Sequence, residues 1–278
     1  MALLLPHTSF NELKNNFQAT PALVNFATRV TASGSTHTKG SWSSMIDPVP
    51  SDCYWLNLMI GGVSQGNTRT EALVDIAIGP TGGGSEQVIL PNLLAGWSGA
   101  NPLRNGERVV SVPMYIPAGL RVSGRCQSAI ASDTVDLGLA LSCGFSGPPW
   151  AAFTCADAYG VDTATSMGTA VTAGNSGTEG SWTNIGSTTS RDYYGLYILV
   201  QSETTGTTMT SLAYHFEIGY SSTTLAEFLF MTDSNEWTNG PFPAFPYLGF
   251  IPSGTQLQVR GECSSSAEVL DVALYGLY

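Results

Sequence analysis

The chain has 278 residues, of which only 11% are charged, against about a quarter in ordinary soluble domains. Ten Lys and Arg against 21 Asp and Glu leave a net charge of −11, so no basic surface is available to release counterions from a nucleic-acid backbone. Apolar residues reach 43%, enough to bury a core and exclude disorder. No apolar run approaches the roughly 18 residues that a membrane span requires.

At the front, Met1-Ala2-Leu3-Leu4-Leu5-Pro6 carries no basic residue, and Pro6 and His7 end its apolar run. It reads as an ordinary N-terminus of a protein made in the cytoplasm, not as an export signal. Ser9-Phe10-Asn11-Glu12 has the form of a capping box, and Phe10, Leu13 and Phe17 follow at helical spacing. The expectation is a short amphipathic helix within an arm over residues 1–27. Such an arm either packs on its own domain or docks on a neighbouring subunit.

From residue 28 the pattern turns to strands. Val122, Gly124 and Cys126 alternate with Ser123, Arg125 and Gln127, and Val135, Leu137, Leu139 and Leu141 alternate with Asp136, Gly138 and Ala140. A period of two with one apolar face is the signature of half-buried strands. Turn clusters such as Gly79-Pro80-Thr81-Gly82-Gly83-Gly84 separate them. Ser146-Gly147-Pro148-Pro149-Trp150 reads as a stiff linker, followed by a lead-in strand around Tyr159 to Thr165.

Beyond that linker the first half returns. Gly40-Ser41-Trp42 recurs as Gly180-Ser181-Trp182, and Asp75-Ile76-Ala77-Ile78-Gly79 as His215-Phe216-Glu217-Ile218-Gly219, both 140 positions on. Tyr54-Trp55 and Leu58 return as Tyr193-Tyr194 and Tyr197, and Trp97 pairs with Trp237. Tyr115-Ile116-Pro117-Ala118-Gly119 matches Phe250-Ile251-Pro252-Ser253-Gly254, and Val122 to Cys126 matches Val259 to Cys263. Anchors in the same order at near-constant offset are a tandem duplication. The fold class is therefore all-β: two tandem β-sandwich, jelly-roll-like domains over 28–145 and 146–278, preceded by the helical arm.

Chemistry-bearing residues are sparse. His7, His37 and His215 have no paired-ligand spacing, so no metal site is expected, and no phosphate, dinucleotide or nucleophile-elbow motif implies a cofactor. Asp233 and Glu236 beside Trp237 are a carboxylate pair, but nothing matches them beside Trp97. Five cysteines without CxxC spacing read as reduced, buried thiols. Trp42, Trp182, Trp55, Tyr193 and Tyr194 are expected in the core. Trp97 and Trp237 lie among Asn, Ser, Thr and Gly; they either anchor their loops or stack on a sugar. The sugar reading names Trp237, Asn235 and Asn239, then Trp97 and Asn101.

Charge divides unevenly along the duplication. Residues 1–145 hold eight basic and nine acidic side chains, and residues 146–278 hold two and twelve. The halves present different surfaces, through drift after duplication or because the near-neutral copy binds a protein neighbour while the acidic copy faces solvent.

The pieces Gly40-Ser41-Trp42, Asp75 to Gly79, Ile89-Leu90-Pro91-Asn92-Leu93, Tyr115 to Gly119 and Val122 to Cys126 resemble a repeat of structural proteins in tailed phages and phage-like gene transfer agents. The second copy departs, with Phe228-Leu229-Phe230-Met231 in place of the ILPNL piece. The resemblance implies a non-enzymatic virion surface protein, a head spike or fibre mediating host attachment through cell-surface or capsular polysaccharide. A capsid decoration protein without glycan binding is the alternative. It further implies a homo-oligomer attached to other virion proteins through the N-terminal arm.

Overall fold

The computed structural model describes residues 23–64, 72–95, 108–143, 153–161, 168–175, 177–202, 213–231, 246–264 and 268–278. These form strands and no helix; the expected helix over residues 9–17 lies outside the described residues. The first repeat contains β1 (Leu23–Thr31), β2 (Ser43–Ile46), β3 (Cys53–Ser64), β4 (Ala72–Gly79), β5 (Gln87–Leu94), β6 (Arg108–Val112), β7 (Arg121–Ser128) and β8 (Thr134–Cys143). The second contains β9 (Ala156–Tyr159), β10 (Thr169–Thr172), β11 (Thr183–Asn184), β12 (Tyr193–Ser202), β13 (Ala213–Tyr220), β14 (Thr223–Met231), β15 (Tyr247–Ile251), β16 (Leu257–Cys263) and β17 (Val269–Leu277).

The two halves share one strand order. The first repeat stacks a β1-β8-β3-β6 sheet on a β2-β7-β4-β5 sheet, the order of an eight-stranded jelly roll. The second repeats it as β10-β17-β12-β15 on β11-β16-β13-β14. There β9 and β10 share one flank of β17, against Leu274–Leu277 and Val269–Val272 respectively, and together fill the place of β1. The lead-in strand thus ends at Tyr159 rather than beginning there. In front, β1 starts at Leu23, so residues 23–27, assigned to the arm by sequence, already pair with β8.

The alternation read from sequence sets the core. Val122 and Cys126 on β7 and Val135, Leu137, Leu139 and Leu141 on β8 are at most 1% exposed. Tyr193, Ile198, Phe216, Val259 and Leu274 do the same work in the second repeat. Two expectations fail for a geometric reason. Adjacent strand residues face opposite sides, so Tyr193 is buried while Tyr194 is 58% exposed. Trp55 is half-buried on the outer face, its indole N–H donating to Ser111 Oγ at 2.8 Å.

The cysteine expectation is also corrected. Antiparallel register sets Cys53 opposite Cys143, and the two form a disulfide; Cys126, Cys155 and Cys263 are buried and not disulfide-bonded. Burial pushes the Cys126 thiol up to about 12, with Asp133 adding to the rise.

The repeats share an apolar junction. In the first repeat β5 and β6 are the last strands of their sheets, which leaves one side of the sandwich open. The outward face of the β10-β17-β12-β15 sheet closes it, with Tyr197, Leu199, Tyr275 and Leu277 joining the first repeat's core cluster at no more than 3% exposure. The Tyr275 hydroxyl accepts from Leu94 N–H at 3.1 Å and donates to Asn92 O at 2.9 Å. It thereby satisfies backbone groups of edge strand β5 that no neighbouring strand reaches. Phe153 N–H donates to Pro113 O at 2.7 Å and Tyr115 N–H to Phe153 O at 2.8 Å. Gly195 admits that ring: a Cβ there would stand 2.8 Å from it.

Candidate functional site

A shallow cleft lies on the outer face of the β2-β7-β4-β5 sheet, lined by residues 37–39, Asp75, Val88, Pro91, Asn92, Arg125 and Gln127, with a volume of about 560 Å³. Such a size suits a small-molecule or saccharide-unit site. Asp75 sits at its centre on β4, opposite Arg125 on β7, and is 3% exposed. Its Oδ1 accepts from Lys39 Nζ at 2.7 Å and from Asn92 N–H at 2.8 Å, and its Oδ2 from Arg125 Nε at 2.9 Å. Lys39 Nζ also donates to Asn92 Oδ1 at 2.6 Å. Burial lowers the Lys39 ammonium's pKa, against the opposing pull of Asp75. Lys39, Arg125 and Asp75 leave one surplus positive charge in an acidic protein.

The cleft exists because β5 is irregular. Its pairing with β4 slips between Val74 and Ile76, where Pro91 has no N–H to donate and Asn92 takes the left-handed φ of 50° that asparagine tolerates best among side-chain-bearing residues. The bulge turns Asn92 N–H toward the Asp75 carboxylate. Tyr275, reaching across from the second repeat, holds the carbonyl of the same residue. His37, at φ 53°, adds to the lining a buried Nδ1 with no hydrogen-bond partner.

The second repeat has a counterpart with inverted charge. Arg125 lies over the Trp42 ring, 4.2 Å from its centroid, and Arg260 over Trp182 at 4.6 Å. Both tryptophans, expected in the core, are half-buried beneath these guanidiniums on the outer face. Where the first repeat has Lys39, the second has Glu179. Arg260 is bridged by Glu179 at 2.5 Å and Glu217 at 2.8 Å. Because His215 occupies the position of Asp75, the arginine and its carboxylate move two residues along their strands, to the Glu217–Arg260 register pair. Burial alone would raise Glu217, but hydrogen bonds with Thr224, Glu179 and Arg260 outweigh it and lower its pKa. Glu179 is raised, chiefly by its hydrogen bond with Glu217. Glu179, His215 and Glu217 bring ligand atoms within 4.8 Å of one another, yet Arg260 already bridges the two carboxylates. On this side β14 pairs in register past His215 and Leu229, and its register shift falls between Ile218 and Gly219 instead.

No protein-family model matches the chain, and no curated protein sequence matches it. Two solved structures are loosely similar. One is PNGF-II, with a TM-score of 0.37 and 8% identity over 92% of this chain; the chain spans 65% of that protein's length. The other is the tandem CBM22-1-CBM22-2 domain of Paenibacillus barcinonensis Xyn10C, with a TM-score of 0.29 and 10% identity, covering 94% of this chain and 92% of the other. Likenesses this loose leave function to the chemistry of the site.

The sequence-named sugar contacts Trp237, Asn235, Asn239, Trp97 and Asn101 lie outside the described residues, as do Asp233, Glu236 and His7. Among described residues the cleft gathers others: Lys39, Asp75, Asn92, Arg125 and Gln127. Two signals pointed to them. The ILPNL piece is missing from the second copy, and Lys39 and Asp75 change chemical type across the duplication. His215, at the place of Asp75, is half-buried on the outer face, with Nε2 3.5 Å from Glu227 and Nδ1 3.9 Å from Glu262.

Proposed function

We propose that this chain is a non-enzymatic surface protein of a phage-like particle, a head spike or fibre, that attaches to a host by holding a cell-surface polysaccharide in the cleft of its first repeat. The carrying observation is the Asp75-centred cleft itself. An ammonium, a guanidinium, two amides and a carboxylate converge there on a shallow surface with Val88 and Pro91 beside them. Sugars are bound by such mixtures, in which planar polar groups meet hydroxyls and apolar atoms meet C–H faces. The surplus positive charge admits an acidic sugar, whereas the carboxylate-rich counterpart in the second repeat repels one.

The test is binding of the intact protein to encapsulated and capsule-free bacterial cells and to purified capsule. Asn92→Ala and Lys39→Met should each weaken capsule binding at least about tenfold by removing hydrogen-bonding groups at the cleft. No binding to either material overturns the attachment role. Release of reducing sugar from capsule overturns the non-enzymatic one.

A further inference from the structure

The two repeats have equivalent open sides, and among the described residues only one of them is covered. In the first repeat, β5 and β6 are covered by the second repeat's outer sheet face, and Phe153 hydrogen-bonds along Pro113–Tyr115. The corresponding side of the second repeat is bounded by β14 and β15, again the last strands of their sheets. No described residue occupies the place of Phe153 there.

Side chains follow the same division. Tyr54 and Tyr115, with ring centroids 5.4 Å apart, are half-buried and Pro113 is buried. Strand register, with Cys53 opposite Ile116 and Tyr193 opposite Ile251, sets Tyr194 rather than Tyr193 at the place of Tyr54. Tyr194 and Phe250 pack at 5.7 Å, yet they stand 58% and 59% exposed, with Leu248 at 65% on the same face of β15. All three belong to the few large apolar side chains left exposed among the described residues. Natural proteins avoid leaving an apolar sheet edge uncovered.

We infer that the β14/β15 side of the second repeat is the docking surface for the first repeat of a second copy of this chain. The docked repeat presents its outer sheet face as the second repeat presents its own to β5 and β6. The occupant follows from charge. A symmetric contact would set two second repeats together, each with two basic and twelve acidic residues across 146–278. The first repeat, with eight basic and nine acidic across 1–145, brings no such repulsion. The contact is therefore head-to-tail, and first and second repeats alternate along the assembly.

Sedimentation velocity of the full chain over a concentration series tests the proposal. Wild type should self-associate as concentration rises, and Leu248→Ser with Phe250→Ser should weaken association at least about thirty-fold. Ile130→Ser, at an exposed apolar residue of the first repeat, should leave association unchanged. A wild-type monomer at every concentration, or a double variant that assembles normally, overturns the inference. A photo-crosslinking residue at position 194 supplies a second reading that does not depend on the double variant folding. Adducts to first-repeat peptides of another chain support the head-to-tail contact, and adducts confined to second-repeat peptides overturn it.

Discussion

A single residue changed across the duplication decides the chemistry of each outer face. Asp75 gathers Lys39, Asn92 and Arg125, and His215 in its place gathers nothing comparable. Asp75→Asn should therefore destabilise the first repeat by about 3–5 kcal/mol, because it leaves two neighbouring cations with no anion between them; chemical denaturation measures this. In the second repeat, Glu179 holds its proton above the ordinary value of 4.5 because it is hydrogen-bonded to Glu217. The folded state thus binds more protons than the unfolded state in the window just above pH 4.5, and stability contributed by Glu179 falls as pH rises through that window. Glu179→Gln should remove this decline, so the melting temperature of the variant gains on wild type from pH 4.5 upward. A constant difference across the window would refute the assignment. Little of this was legible in sequence. The Lys39–Asp75 and Glu179–Glu217 pairs are 36 and 38 positions apart in the chain and meet only through strand register. The tryptophans seemed core residues because nothing local signals an arginine on the neighbouring strand.

At the scale of the strand, one bulge separates a binding surface from a plain one. Pro91 and Asn92 interrupt β5 opposite Asp75, while β14 stays in register opposite His215 and shifts only at Ile218–Gly219, so the departure of the second copy from the ILPNL piece marks where the two faces diverge. Tyr275 supports the bulge from outside, meeting both Asn92 O and Leu94 N–H. Tyr275→Phe should cost about 1–3 kcal/mol, the penalty of stranding buried backbone groups. It should also weaken capsule binding without touching any cleft side chain; unchanged affinity would show that the bulge holds itself. Strand existence was legible because period-two alternation is a local property, as in Val135 to Leu141. Strand order was not, since pairing β8 with both β1 and β3 joins residues about a hundred positions apart. The disulfide escaped for the same reason: Cys53 and Cys143 lie 90 positions apart.

In the whole molecule, the duplicated sandwiches are joined as one body. Tyr197, Leu199, Tyr275 and Leu277 are inner residues of the first repeat's cluster although they stand on second-repeat strands. The first repeat does not keep its full core without the second, so the chain should unfold in one cooperative calorimetric transition rather than two. Leu199→Asp provides the decisive variant. Leu199 is 2% exposed within the junction, and an unpaired carboxylate there should cost about 3–5 kcal/mol of contact between the repeats. The second repeat's own core, built on Tyr193, Phe216 and Leu274, does not include that side chain and should survive. Two transitions are then expected, the lower from the first repeat, whose β5 and β6 edges lose their cover. A single transition shifted down would mean that the repeats remain coupled through the Phe153 linker alone.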